Sequence, residues 1–193
     1  MKPEEAKQIC EALQDAGFDF VELSGGTHED IGYGGEREST RKREAYFLEF
    51  VRDIVPNLTR TRRFLVGGFR TAASMVQALD RNLDGISLGR PAAQEPRFPT
   101  ELLAGKITGA ITPPMELISN VWLGLMASNV QMLQVGRGLE PFDASDEKAM
   151  SAFKEAYAAF AEKVKADGDK LEVHGVAELT APEASSHLYG DAY

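Results

Sequence analysis

One cysteine and three histidines in 193 residues are each few enough to close off a class of protein. A lone thiol, Cys10, cannot form an internal disulfide, so a disulfide-stapled secreted scaffold is excluded and a reducing, cytoplasmic compartment is expected. The opening Met1-Lys2-Pro3-Glu4-Glu5 lacks the apolar core of a signal peptide. The three histidines, His28, His174 and His187, are scattered, and no metal centre is expected. Positive charge is in deficit. The 21 basic against 30 acidic side chains give a net charge of −9, which repels nucleic acid and anionic membrane over most of the surface. Any anion site must be a local exception. Formal charge is absent altogether from residues 117–135, but Ser119, Asn120, Ser128, Asn129, Gln131 and Gln134 interrupt that stretch, and the insertion cost of so many polar groups argues against a membrane span. Leu117, Val121, Trp122, Leu125, Met132 and Leu133 recur there at helical spacing, so the stretch reads as a buried amphipathic helix.

What is present is an ordinary globular composition, 43% hydrophobic and 26% charged, long enough for one core. It is short of the roughly 250 residues that a whole (β/α)8 barrel takes. The first ninety or so residues repeat a unit of helix followed by strand. Pro3, the apolar set Ala6, Ile9, Cys10 and Leu13, and a stop at Gly17 define a first helix, which feeds the strand Phe20 to Leu23. A polar, glycine-rich loop runs from Ser24 to Glu38. Tyr46, Phe47, Phe50, Val51 and Ile54 mark a helix that must end before Pro56. The strand Phe64 to Val66, a helix on Ala72, Met75, Val76 and Leu79, and the strand Ile86 to Leu88 follow. Such alternation argues a parallel sheet with crossover helices. Beyond Pro99 only helices are evident. Met150, Phe153, Tyr157, Phe160 and Val164 form one apolar stripe that Gly168 terminates, and the last 25 or so residues read as irregular.

Two segments carry chemistry. Phe64-Leu65-Val66-Gly67-Gly68-Phe69-Arg70 and Gly85-Ile86-Ser87-Leu88-Gly89-Arg90-Pro91 are both apolar runs that stop at glycine and are followed by arginine. Side by side, they deliver bare backbone N–H groups and a guanidinium to one place, which suits a phosphate. Glycine lets the anion reach the backbone, arginine offers a planar fork, and Pro91 suits the first turn of a short helix. Taken singly, each segment reads first as a tight turn with a solvated arginine, and it is their joint occurrence at adjacent strand ends that favours the phosphate. Barrel phosphate sites commonly use the loops after the seventh and eighth strands.

Phe20-Val21-Glu22-Leu23-Ser24-Gly25-Gly26-Thr27, Arg43-Glu44-Ala45-Tyr46-Phe47, Gly67-Gly68-Phe69-Arg70-Thr71 and Leu88-Gly89-Arg90-Pro91 with Glu95-Pro96 resemble, as an ordered set over roughly residues 5 to 140, the NADH:flavin oxidoreductase or old yellow enzyme family. The resemblance implies a (β/α)8 barrel holding FMN non-covalently. NAD(P)H reduces the flavin there, and the flavin reduces an activated alkene or related acceptor. It implies that the matched residues are the last three strand-helix units of such an α/β barrel, followed by a C-terminal helical extension. Gly67, Gly68, Gly89 and Arg90 fall on the positions that bind the FMN phosphate.

The family also carries a His-Asn or His-His pair on an earlier strand and usually a proton-donating tyrosine. No histidine of this chain falls on an assigned strand. His28 and Tyr33 read as solvated loop residues. Ser24 reads as a cofactor contact or a turn cap, and Glu22 as a residue pointing into the barrel, an ion-paired one or a solvated strand end. The expected organisation is 1–112 as the C-terminal part of an FMN-binding barrel, 113–168 as a helical extension and 169–193 as an irregular tail. Function then divides between an FMN-dependent, enone-reducing oxidoreductase, completed by a homodimer or a partner chain, and an inactive fragment acting through phosphate, flavin or protein contacts. A different phosphate-binding barrel, such as an aldolase or isomerase relative, is the third reading. No catalytic residue is assigned.

Overall fold

The computed structural model describes residues 3–24 and 55–179. The helix expected on Tyr46 to Ile54, the loop residues His28 and Tyr33, and His187 lie outside them. The chain divides into two compact units, Met1–Gly89 with Thr100–Ala110, and Arg90–Pro99 with Ile111–Tyr193.

The first unit carries the strands. Helix α1, Pro3–Asp15, opens with proline and places Glu4 and Glu5 in its first turn, where the helix dipole favours negative charge. It closes through the Phe18 N–H, which donates to Leu13 O at 3.1 Å, with Gly17 between them at φ +86°. Strand β1, Phe20–Leu23, alternates, with Val21 and Leu23 buried and Phe20 and Glu22 exposed. Strand β2 is Arg62–Val66, helix α2 is Ala72–Leu79 and strand β3 is Gly85–Ser87. The three strands pair in parallel in sequence order, as the helix-strand alternation predicts. Register sorts the side chains. Glu22, Phe64 and Gly85 are partners and share one face, while Leu23, Leu65 and Ile86 share the other. On the first face the rings of Phe20 and Phe64 meet edge to face at 5.7 Å. The Phe64 ring also fills the space that a side chain at Gly85 would need, so glycine begins β3 for reasons of volume. Thr71 caps α2 by accepting a hydrogen bond from Ser74 N. Met75 and Ala78 are the buried residues of α2, whereas Val76, expected on its apolar face, is 56% exposed.

The second unit is helical. It contains α3 (Arg90–Gln94), α5 (Met115–Ser119), α6 (Val121–Gly136) and α7 (Glu147–Asp167), and α4 (Phe98–Leu103) begins at its edge. Leu117, Ala127, Val130, Phe142, Met150 and Phe153 centre its core, with Phe142 stacked on Phe153 at 5.3 Å. Asp146 caps α7 by accepting from Ala149 N. The expected stripe on α7 is real at its start: Met150 and Phe153 are buried, Tyr157 and Phe160 pack against the core, and Val164 is exposed.

The uncharged stretch 117–135 departs from expectation in two ways. It is two helices, because Asn120 leaves helical geometry at φ −98° and ψ 94° and its side chain accepts from Leu123 N to start α6 afresh. The buried stripe is also not the one the spacing selected. Trp122, Leu125 and Met132 are exposed, while Gly124, Ala127, Ser128, Val130, Gln131 and Gln134 are buried. Polar residues earn that place by serving the backbone of the following loop. Gln131 Nε2 donates to Phe142 O at 2.9 Å, and Gln134 Oε1 accepts from Phe142 N at 2.9 Å. Among the described residues no helix is long and apolar enough to cross a membrane.

Candidate functional site

Parallel pairing of Val66 with Ser87 brings the carboxyl ends of β2 and β3 to one edge of the sheet. The chain leaves β2 through Gly67 and Gly68, at φ +147° and +68°, backbone conformations that side chains disfavour. Both glycines are exposed, as is Gly89 beyond β3. Chain neighbours aside, no atom of the described residues lies within 4 Å of where a Cβ would stand on Gly67 or Gly89, so the described side chains leave the backbone there uncovered. Three of the four residues expected at a phosphate site thus gather at one edge. Ser24 follows β1 at the same edge and is exposed, and Glu22 is exposed on the face shared with Phe64.

A further segment fixes this edge, one that no local sequence signal marks. Gly109 bridges Thr71 in antiparallel fashion. Ala110 N donates to Arg70 O at 2.8 Å, and Ala72 N to Thr108 O at 2.9 Å. The turn after Gly68 is therefore held from both sides of Thr71.

Arg90, covalently next to Gly89, begins the helical unit. Its Nη1 donates to the Leu117 carbonyl oxygen at 3.4 Å, near the long end of the hydrogen-bond range. Pro91 is buried in the first turn of α3. Glu95 accepts from Ile111 N at 2.6 Å, and Arg97 pairs with Glu140 at 2.7 Å, so the residues after Arg90 are tied to later parts of the same unit. His174 is exposed beyond α7.

The opposite, amino edge of the sheet is built differently. Asp84 accepts from Arg63 N at 2.9 Å, from Arg63 Nε at 2.7 Å and from Arg62 Nη1 at 3.2 Å. The Arg63 hydrogen bond is the main cause that lowers its carboxyl to about 2. Gln14 accepts from Thr59 N and Arg60 N at 2.8 and 2.9 Å. Cys10 is buried in α1, and burial raises its thiol, which disfavours the reactive thiolate.

The chain is similar to several flavin oxidoreductases. The chain is 40% identical over 156 residues to NADH-dependent flavin oxidoreductase nadA of Aspergillus parasiticus, covering 80% of this chain and 35% of that protein. The chain belongs to the NADH:flavin oxidoreductase family. It is also 40% identical over 103 residues to NADH-dependent flavin oxidoreductase iccE of Talaromyces variabilis, covering 50% of this chain and 24% of that protein. A third relative, NADH-dependent flavin oxidoreductase iliE of a Neonectria species, is 33% identical over 107 residues. No family model matches the chain. The chain spans about a third or less of the length of these three relatives.

Proposed function

We propose that this chain supplies the phosphate-anchoring part of an FMN-dependent NADH oxidoreductase of the old yellow enzyme type. Its three parallel strands are then the last three strand-helix units of a (β/α)8 barrel. The observation that carries the reading is the carboxyl edge of β2 and β3, where Gly67, Gly68 and Gly89 are exposed and a Cβ on Gly67 or Gly89 would meet none of the described residues beyond its chain neighbours. Membership of the family directs that edge toward a flavin, and the phosphate is the part of FMN that suits glycine N–H groups with an arginine fork.

In this reading the N–H groups of Gly67, Gly68 and Gly89 and the Arg90 guanidinium bind the FMN phosphate. FMN, when bound, supplies hydride chemistry between NADH and an activated alkene. The chain's own residues hold and orient the phosphate end. None of the three strands carries a histidine, so in this reading the group that polarises a substrate carbonyl comes from elsewhere in the barrel. The sheet face bearing Phe20, 59% exposed, and Phe64 is the barrel interior, closed by strands of a longer polypeptide or of a partner chain.

The test is to titrate the 193-residue chain with FMN, riboflavin and FAD, then follow NADH oxidation with cyclohexenone. A preference for FMN over riboflavin, with turnover no faster than free FMN, is expected. Equal affinity for FMN and riboflavin overturns the phosphate assignment. Turnover well above free FMN overturns the restriction of this chain to anchoring.

A further inference from the structure

Helix α6 has no ordinary outer face. Its residues 121–136 include no Asp, Glu, Lys, Arg or His, although one side of the helix is open to solvent. Trp122, Leu125 and Met132 are 66%, 39% and 54% exposed, and they lie opposite the side on which Gly124, Ala127, Val130, Gln131 and Gln134 are buried. Helix α7 of the same unit follows the usual rule: Met150 and Phe153 are buried, while Lys148, Glu155, Glu162 and Lys163 face water. A helix that is apolar on both sides is normally covered on both, and α6, at 16 residues, is too short to cross a membrane.

Spacing and polarity identify the cover. Trp122, Leu125, Asn129 and Met132 are separated by three, four and three residues, the a and d repeat of a two-helix seam. Asn129 is half-buried in this row, and its side-chain amide is bonded to no other described residue. An amide is its own complement, since it carries both an acceptor oxygen and an NH2 donor. A second Asn129 across the seam satisfies it, and one asparagine at an a position is the device that sets register between paired identical helices. Charge points the same way. Two copies of a chain with net charge −9 repel over most of their surfaces, and α6 is an approach with no formal charge on either side.

We propose that this row is a self-association surface, on which α6 of one chain packs parallel and in register against α6 of a second copy about a twofold axis. Trp122, Leu125, Asn129 and Met132 each meet their counterpart. The contact lies wholly within the helical unit, is separate from any closure of the sheet, and does not depend on the flavin reading. Four side chains from each copy make a small interface, so the dimer forms at micromolar rather than nanomolar concentration.

Trp122 is the only tryptophan of the chain, which makes its emission a direct probe. Sedimentation and tryptophan emission of the 193-residue chain are followed over about 1 to 300 μM. The mass is expected to rise from monomer to dimer while the emission shifts to the blue over the same range, and added salt should not weaken either change. Asn129→Asp sets two like charges against each other and is expected to raise the dissociation constant at least tenfold, Trp122→Glu to abolish the dimer, and Phe20→Glu on the sheet to leave it intact. Asn129→Cys in a Cys10→Ala background should cross-link two copies under mild oxidation, because the parallel register brings the two positions together. A wild-type chain that stays monomeric with constant emission overturns the inference. So does a dimer that survives Asn129→Asp and Trp122→Glu, one lost in Phe20→Glu, or one that persists without cross-linking at position 129. Thermal unfolding curves confirm that each variant folds, and if any does not, the wild-type concentration series and the cross-link decide.

Discussion

The two edges of the three-stranded sheet are made from the same strands and solve opposite problems. At the amino edge polar groups are matched: Asp84 takes three hydrogen bonds from Arg62 and Arg63, Arg63 Nη1 donates to Leu58 O at 3.2 Å, Thr61 Oγ1 donates to Phe18 O at 2.8 Å, and Gln14 gathers the N–H groups before β2. At the carboxyl edge the chain turns through glycines, and no described residue beyond the chain neighbours covers Gly67 or Gly89 on the side a Cβ would take. One edge spends its side chains on stability. The other withholds side chains, and a site for a ligand needs that access to the backbone. The same division is seen in (β/α)8 barrels, where the carboxyl face carries function and the amino face stability.

The comparison breaks most visibly at Arg90. Arg90→Ala is expected to weaken FMN binding by about 2 to 3 kcal/mol, the scale of a lost charge-assisted contact, and equal FMN affinity in a titration of the two proteins would show that the carboxyl edge is not the anchor. At the amino edge, Asp84→Asn is expected to lower stability at neutral pH by about 2 kcal/mol while flavin affinity stays put. The sign follows from the depressed carboxyl. The unfolded group binds its proton near 3.8 and the folded one near 2, so the stabilisation is fully present above about pH 4 and is lost as pH falls through 2. Urea unfolding at pH 7 and pH 2 should show the difference between wild type and variant shrinking at the lower value.

Gln14→Ala comes next. It releases the Thr59 and Arg60 N–H groups, which are exposed enough for water to replace the glutamine, so the expected loss is about 1 kcal/mol. A shift in FMN affinity with either amino-edge variant would mean that the two edges are not independent. The smallest effect belongs to Cys10. Its buried, raised thiol should react with a disulfide reagent far more slowly in the folded chain than in urea, and prompt labelling of the native protein would contradict the packing of α1.

Much of the strand unit was legible because its signals are local. Strands predicted at Phe20 to Leu23, Phe64 to Val66 and Ile86 to Leu88 are observed at Phe20–Leu23, Arg62–Val66 and Gly85–Ser87. Apolar runs ending in glycine show both the strand and the edge at which it opens. The polar start of β2 was missed because Arg62 and Arg63 pair with Asp84, and an ion pair 21 residues apart leaves no trace in hydrophobicity. The face of α6 was misjudged because apolar residues occur nearly all round it. With no polar side to exclude, periodicity gives no direction, and Gln131 and Gln134 are buried because Phe142 presents backbone groups there.

Sequence alone determined the alternation of helix and strand, the glycine turns after β2 and β3, and the family, since backbone freedom at glycine and the order of short motifs are properties of the chain itself. Tertiary structure alone decided which face of α6 is buried, that Phe64 covers Gly85, that Gly109 pins the turn at Thr71, and that Arg90 is aimed at the Leu117 carbonyl beside Gly124. Each of these is a matter of volume or a single hydrogen bond between residues distant in the chain. Such contacts exist only once the elements have packed.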